Sequence, residues 1–156
     1  MNRATNSAAV DLTIRLAELS DAQAIASLMG ELGYPTRAAE MQMRLEPILQ
    51  DSRYRTFVAV RGGKICGMIG TFCYHSYEHN NVGGRILALV VTEKMRGEGV
   101  GRALISAAEN DFSDRNITRL AVNTRFTREE AHKFYESLGY TRNGFRFVKT
   151  LSAVAD

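Results

Sequence analysis

The sequence predicts an α/β domain with a mixed sheet, on three observations. Short segments early in the chain alternate apolar and polar residues and are joined by turn residues, the pattern of antiparallel hairpins. One run in the middle, Ile86-Leu87-Ala88-Leu89-Val90-Val91, is apolar throughout, as in a strand covered on both faces. After it, helical stripes separate short strands, the spacing of strand–helix–strand crossovers.

The elements follow in order. Residues 1–10 are small and polar with no period and read as a loose tail, leaving 11–156 as a single domain. Leu12, Ile14, Leu16 and Leu19 alternate with Thr13, Arg15 and Ala17, predicting a strand. Ser20 or Asp21 is suited to cap a helix carrying Ile25, Leu28, Met29 and Leu32, which Gly33 ends. A second helix is expected from Thr36, with Met41, Leu45, Ile48 and Leu49 on one side and a kink or early end at Pro47. Residues 57–60 and 65–77 flank Arg61-Gly62-Gly63-Lys64, a two-residue hairpin turn. The polar loop 79–84 leads to the apolar strand. Val100, Ala103, Leu104, Ala107, Ala108 and Phe112 make a helical stripe, Leu120-Ala121-Val122 a strand, and Arg128 to Leu138 a helix closed by Gly139. Phe145, Phe147 and 149–151 are expected to form a last strand.

Composition narrows the class. The chain has 156 residues, 45% hydrophobic and 24% charged, as in ordinary globular domains. Twenty basic residues against 17 acidic ones give a net charge of +3, too even to call for nucleic acid or a membrane surface. No apolar run reaches the roughly 18 residues of a membrane span, and the first ten residues lack a secretory apolar stretch. Cys66 and Cys73 lie seven apart in one expected strand, hence on opposite faces and unpaired. With no Cys-x-x-Cys and no metal spacing among the histidines, the expected compartment is reducing, the cytoplasm, and no metal is expected.

The chemistry concentrates in Leu87 to Arg102, LALVVTEKMRGEGVGR. A buried strand runs into a basic, Gly-rich turn that opens a helix. Helix N-termini carry unpaired N–H groups and a positive dipole end. Gly97, Gly99 and Gly101 remove side chains that would bar a ligand from those groups, and Arg96 adds positive charge. The turn is an anion cradle suited to a phosphate or pyrophosphate. The dinucleotide pattern fails, because the third glycine position falls on Arg102 or Leu104, and no Gly-Lys-Ser/Thr of a P-loop exists. What remains is Arg96-Gly97-Glu98-Gly99-Val100-Gly101.

This segment resembles the acyl-CoA pyrophosphate loop of the GNAT superfamily of N-acetyltransferases, Arg/Gln-x-x-Gly-x-Gly/Ala. Ala131 to Tyr140, AHKFYESLGY, is similar to the same family's Ala-x-x-x-Tyr-x-x-x-Gly-Phe/Tyr segment. The resemblance spans about residues 12–150. It implies a mixed sheet of six to seven strands with four flanking helices. It also implies acetyl-CoA as co-substrate and direct acetyl transfer to a primary amine, with no metal. The amine is a small molecule (an amino sugar, amino acid or polyamine) or a protein amine, and family members often form homodimers. By this likeness residues 96–102 (Arg96, Gly97, Glu98, Gly99, Val100, Gly101, Arg102) hold the cofactor. A backbone N–H of Leu89, Val90 or Val91 faces the thioester oxygen, and Tyr135 stands where the family's general acid does. Where many members carry Asn three residues before the Ala, this chain has Arg128; Asn123 is an alternative amide.

Transfer also needs the amine deprotonated. Glu31 and Tyr34 at the first helix–helix turn, and His75, Tyr77, Glu78 and His79 after the third strand, are the acceptor-side candidates. Two other readings stand beside the enzyme: a non-catalytic acyl-CoA-binding or sensing module, and an unrelated nucleotide-binding domain.

Overall fold

A computed structural model of the chain describes residues 11–124 and 128–152. The expected N-terminal tail lies outside the described residues. The chain divides into two compact units, one running to Val122 and one starting at Asn123.

The first unit is a five-stranded sheet in the order β1-β2-β3-β4-β5. Its strands are β1 (Leu12–Leu16), β2 (Tyr54–Arg61), β3 (Lys64–Tyr74), β4 (Gly83–Val91) and β5 (Leu120–Val122). Three helices flank them: α1 (Ala22–Leu32), α2 (Ala38–Gln50) and α3 (Val100–Asp114). β1 to β4 pair antiparallel, and β5 joins β4 in parallel through the α3 crossover. The mixed sheet is therefore as the pattern of hairpins and crossovers requires. Gly62 and Gly63 both have positive φ (58° and 73°), so the β2–β3 turn is the primed hairpin turn that only such residues enter without strain.

Sequence neighbours Val58 and Ala59 are both fully buried, as are Met68 and Ile69, so both faces of the sheet are covered. On one face Ile25, Leu28, Met41 and Leu45 of α1 and α2 pack with Val58, Met68 and Val90. α3 packs on β2 and β3 with Leu104, Ile105 and Phe112 fully buried. Gly84 is a point of close approach: a Cβ there would lie 2.7 Å from Leu120 Cδ2 and 2.8 Å from Phe112 Cε1. Cys66 is buried and Cys73 half-buried, both as free thiols; burial pushes the Cys66 thiol up. The Arg115 guanidinium lies 3.6 Å from the Cys73 sulfur.

Asp21 precedes α1 as expected, but its carboxylate does not cap the helix. It receives both terminal nitrogens of Arg15 (2.8 and 3.0 Å) and the Glu18 N–H (2.8 Å), a bidentate pair that ties β1 to the start of α1. The Arg15 hydrogen bonds hold its carboxyl below the usual range. Pro47 does not end α2, which runs on to Gln50. The carbonyl deprived of a donor by Pro47 belongs to Met43, whose side chain is 76% exposed, so water can reach that turn.

The second unit holds α4 (Glu129–Ser137), closed by Gly139 at φ 91° as expected. One expectation fails: residues 141–152 form no strand, and Phe145, Phe147, Val148 and Leu151 are exposed. The sheet among the described residues has five strands, not six to seven. Alternation shows which face a strand would bury, but a strand also needs a hydrogen-bonding neighbour, and this segment has none among the described residues. No helix among the described residues is long and apolar enough to cross a membrane.

Two tests follow from this packing. Gly84→Ala will destabilise the protein by about 1–3 kcal/mol through overpacking against Leu120 and Phe112, read as a lower midpoint in urea. Because the Asp21 pKa is depressed, its stabilisation is present above about pH 4 and lost as pH falls through the folded value. Asp21→Asn will therefore lower stability at pH 7 by about 1–3 kcal/mol and flatten the loss below pH 4.

Candidate active site

The site is built at the C-terminal end of β4. This strand pairs with β3 from Gly83 to Val91 but with β5 only over Gly84, Arg85 and Ile86. From Leu87 to Val91 its other edge has no ladder partner among the described residues; the Val91 carbonyl on that edge is taken by Arg96 Nε, which leaves its backbone N–H groups without a strand partner there. The pairing skips Leu87, which bulges from β4 and is 52% exposed.

Past Val91 the chain turns through a 3-10 turn, Glu93–Met95, into Arg96 and the glycines. Gly97 and Gly99 have φ of 80° and 84°, the left-handed region that other residues enter at a cost. A Cβ at either would project into open space, so these glycines serve the backbone path and leave room above it. The first helical hydrogen bond of α3 runs from the Ala103 N–H to the Gly99 carbonyl at 3.0 Å, and Gly99, the N-cap residue, has no side chain with which to cap the helix. The N–H groups of Val100, Gly101 and Arg102 therefore have no acceptor within the helix and face the loop end. Arg96 donates from Nε to the Val91 carbonyl at 3.2 Å. This is a cradle of backbone donors with a cation at its rim, and it fits a pyrophosphate.

Two tethers hold the loop from outside. Glu31, at the end of α1, accepts from Thr92 Oγ1 (3.2 Å) and the Glu93 N–H (3.0 Å). Arg61, the last residue of β2, pairs with Glu98 at 2.9 Å. Neither Thr92 nor Arg61 is conspicuous in the sequence. Arg61 stands 37 residues from Glu98, and no local pattern reports a pair at that separation.

The remaining candidates divide by place. Tyr34, 47% exposed, follows the left-handed Gly33 at the end of α1, beside the Glu31 tether. His75, Tyr77, Glu78 and His79 lie in the exposed loop after β3, where Ser76 Oγ accepts the N–H groups of Glu78 and His79. That loop adjoins the start of β4, about 26 Å along the strand from Val91, so the sheet does not bring it to the cradle. In the second unit Arg128 precedes α4 and Asn123 follows β5. Tyr135 lies on α4, with ring contacts to Phe134 (5.4 Å) and Tyr140 (5.7 Å). Burial pushes its phenol up, and the Arg128 charge opposes that rise. Among the described residues no group of three or more His, Cys, Asp and Glu side chains is arranged to hold a metal.

Comparison with known proteins gives the family. Residues 52–142 match the family model described as Acetyltransferase (GNAT) domain. Aminoalkylphosphonate N-acetyltransferase of Salmonella typhimurium is 34% identical over 103 residues, covering 66% of this chain and 67% of that protein. The uncharacterized N-acetyltransferase YhdJ of Bacillus subtilis is 26% identical over 126 residues, 78% of this chain and 86% of its own length. Among solved structures, a GNAT family acetyltransferase of Staphylococcus aureus superposes with a TM-score of 0.77 at 28% identity, covering 90% of this chain and 98% of its own. The matched region contains both the β4–α3 cradle and the Tyr135 segment. The chain belongs to the GNAT acetyltransferase family and is an N-acetyltransferase.

Proposed function

We propose that the protein transfers an acetyl group from acetyl-CoA directly to a primary amine. The observation that carries this reading is the N-terminus of α3, with no side chain on its N-cap Gly99, at the end of a strand that β5 leaves after Ile86. The amides of Val100, Gly101 and Arg102, with Arg96 beside them, receive the pyrophosphate. The open edge of β4 from Leu89 to Val91 takes the extended arm of the cofactor. One of its N–H groups donates to the thioester oxygen as negative charge develops there, an oxyanion contact.

In the transfer the amine nitrogen bonds to the carbonyl carbon, the carbon–sulfur bond breaks, and the sulfur leaves with the bonding pair. Tyr135 supplies the proton that the sulfur takes up, and the amine gives up its own proton to solvent or to a base on the acceptor side. A raised phenol pKa keeps Tyr135 protonated, hence competent as an acid, to higher pH than an exposed tyrosine. Arg128, adjacent in charge to that phenol, draws its pKa back toward the working range. The proposed transfer is direct, without a covalent enzyme intermediate, and gives neither cysteine a role. The likeness to an aminoalkylphosphonate N-acetyltransferase makes small amines that carry an anionic group the first acceptors to test, before amino sugars, amino acids, polyamines and peptides.

Titration with acetyl-CoA, with NAD and ATP as controls, tests the cofactor; release of free thiol across the amine panel tests the reaction. Binding of acetyl-CoA alone, with thiol release for at least one amine, is the expected result. A folded protein that binds none of the three overturns the reading. Gly101→Val is the cleaner loop variant, because position 101 is helical while 97 and 99 need positive φ. It should keep the fold and weaken acetyl-CoA at least about tenfold by placing carbon over the amides. Tyr135→Phe should lower turnover about 10²-fold and change acetyl-CoA affinity less than about threefold, and the wild-type rate should hold to higher pH than the range in which an exposed tyrosine ionises.

A further inference from the structure

The cradle contains a carboxylate. Glu98 sits between Gly97 and Gly99, where its negative charge would repel any phosphate received by the α3 amides. We infer that Arg61 is a positioning residue that removes this charge from the cradle, holding Glu98 outward so that the loop stays receptive to an anion. The inference rests on the acetyl-CoA reading above and specifies how the same site tolerates its own acid.

The geometry supports this role. Arg61 Nη1 meets Glu98 Oε2 at 2.9 Å and lies 3.9 Å from Met95 Sδ, so one end of the guanidinium touches both the acid inside the glycine turn and the residue just before Arg96. Its side chain is 21% exposed against 51% for Glu98, so the arginine is the fixed member and the loop acid the movable one. The hairpin turn at Gly62-Gly63 sets its place, with Arg61 opposite Lys64 in the ladder. Arg61 Nε is buried with no hydrogen-bond partner among the described residues. Desolvating that N–H opposes folding, so the site keeps the arginine there at a cost. An ordinary surface pair joins flexible side chains at the rim. This one joins a β-hairpin to the one acidic residue within the glycine turn.

The test is charge cancellation. Acetyl-CoA is titrated into the full chain as wild type, Arg61→Gln, Glu98→Gln and the double variant, at low and at high salt. Arg61→Gln frees the carboxylate and should weaken binding about tenfold at low salt, the loss shrinking at high salt. Glu98→Gln should bind about threefold tighter, since Arg61 is then uncompensated beside the cradle. The double variant should return to within about threefold of wild type, a rescue that loss of mere packing would not produce. Wild-type affinity in Arg61→Gln, or a double variant as weak as Arg61→Gln, overturns the inference and leaves the acetyl-CoA reading intact. If Arg61→Gln does not fold, Glu98→Gln decides: unchanged or weaker binding overturns the inference. A wild-type protein that binds no acetyl-CoA removes the reading beneath it and the inference together.

Discussion

β4 is hydrogen-bonded along its full length to β3 and for three residues to β5. That asymmetry sets the position of the site. A central strand in an α/β sheet normally satisfies both edges, since an unpaired buried backbone group costs about as much as a lost hydrogen bond. Here β5 stops at Val122, so among the described residues the stretch from Leu87 to Val91 has no strand beside it on that edge. The bulge at Leu87 falls at the junction between the paired and open stretches. The same strand delivers the chain into the glycine turn, so open edge and open helix end are neighbours by connectivity.

The electrostatics of the turn come from three sources of different reach. The α3 amides and dipole act within a turn of the helix and are supplied by backbone alone. Arg96 acts at the rim and is held by the Val91 carbonyl. Glu31 and Arg61 reach in from α1 and β2 and bind loop atoms rather than ligand. The cradle is thus held by parts of the chain 61 and 37 residues away, through groups that need not touch a substrate.

Most of the fold is legible from periodicity. The hairpin at Gly62-Gly63, the all-apolar β4 and the α3 stripe follow from spacing and turn chemistry, and the family's two motifs stand in order. Local pattern failed where the outcome depends on a partner. Phe145 and Phe147 alternate like a strand, yet form none, having no neighbour to pair with among the described residues. Asp21 looks like a helix cap, but Arg15 on β1 competes for its carboxylate and takes it. Glu31 reads as a free acid near the acceptor side, and only the packing of α1 beside β4 reveals that it accepts from Thr92 and Glu93. The pair of Arg61 and Glu98 left no trace in the sequence for the same reason.

The two cysteines bear on how the reaction can be followed. Released CoA is counted with reagents that attack thiolates, and such reagents also find the protein's own thiols. Cys66 is buried and its thiol is pushed up, so it offers little thiolate at neutral pH. Cys73, half-buried against the Arg115 guanidinium, then sets the background. That background is bounded at one thiol per chain, so CoA released beyond the first turnover exceeds it at any enzyme concentration.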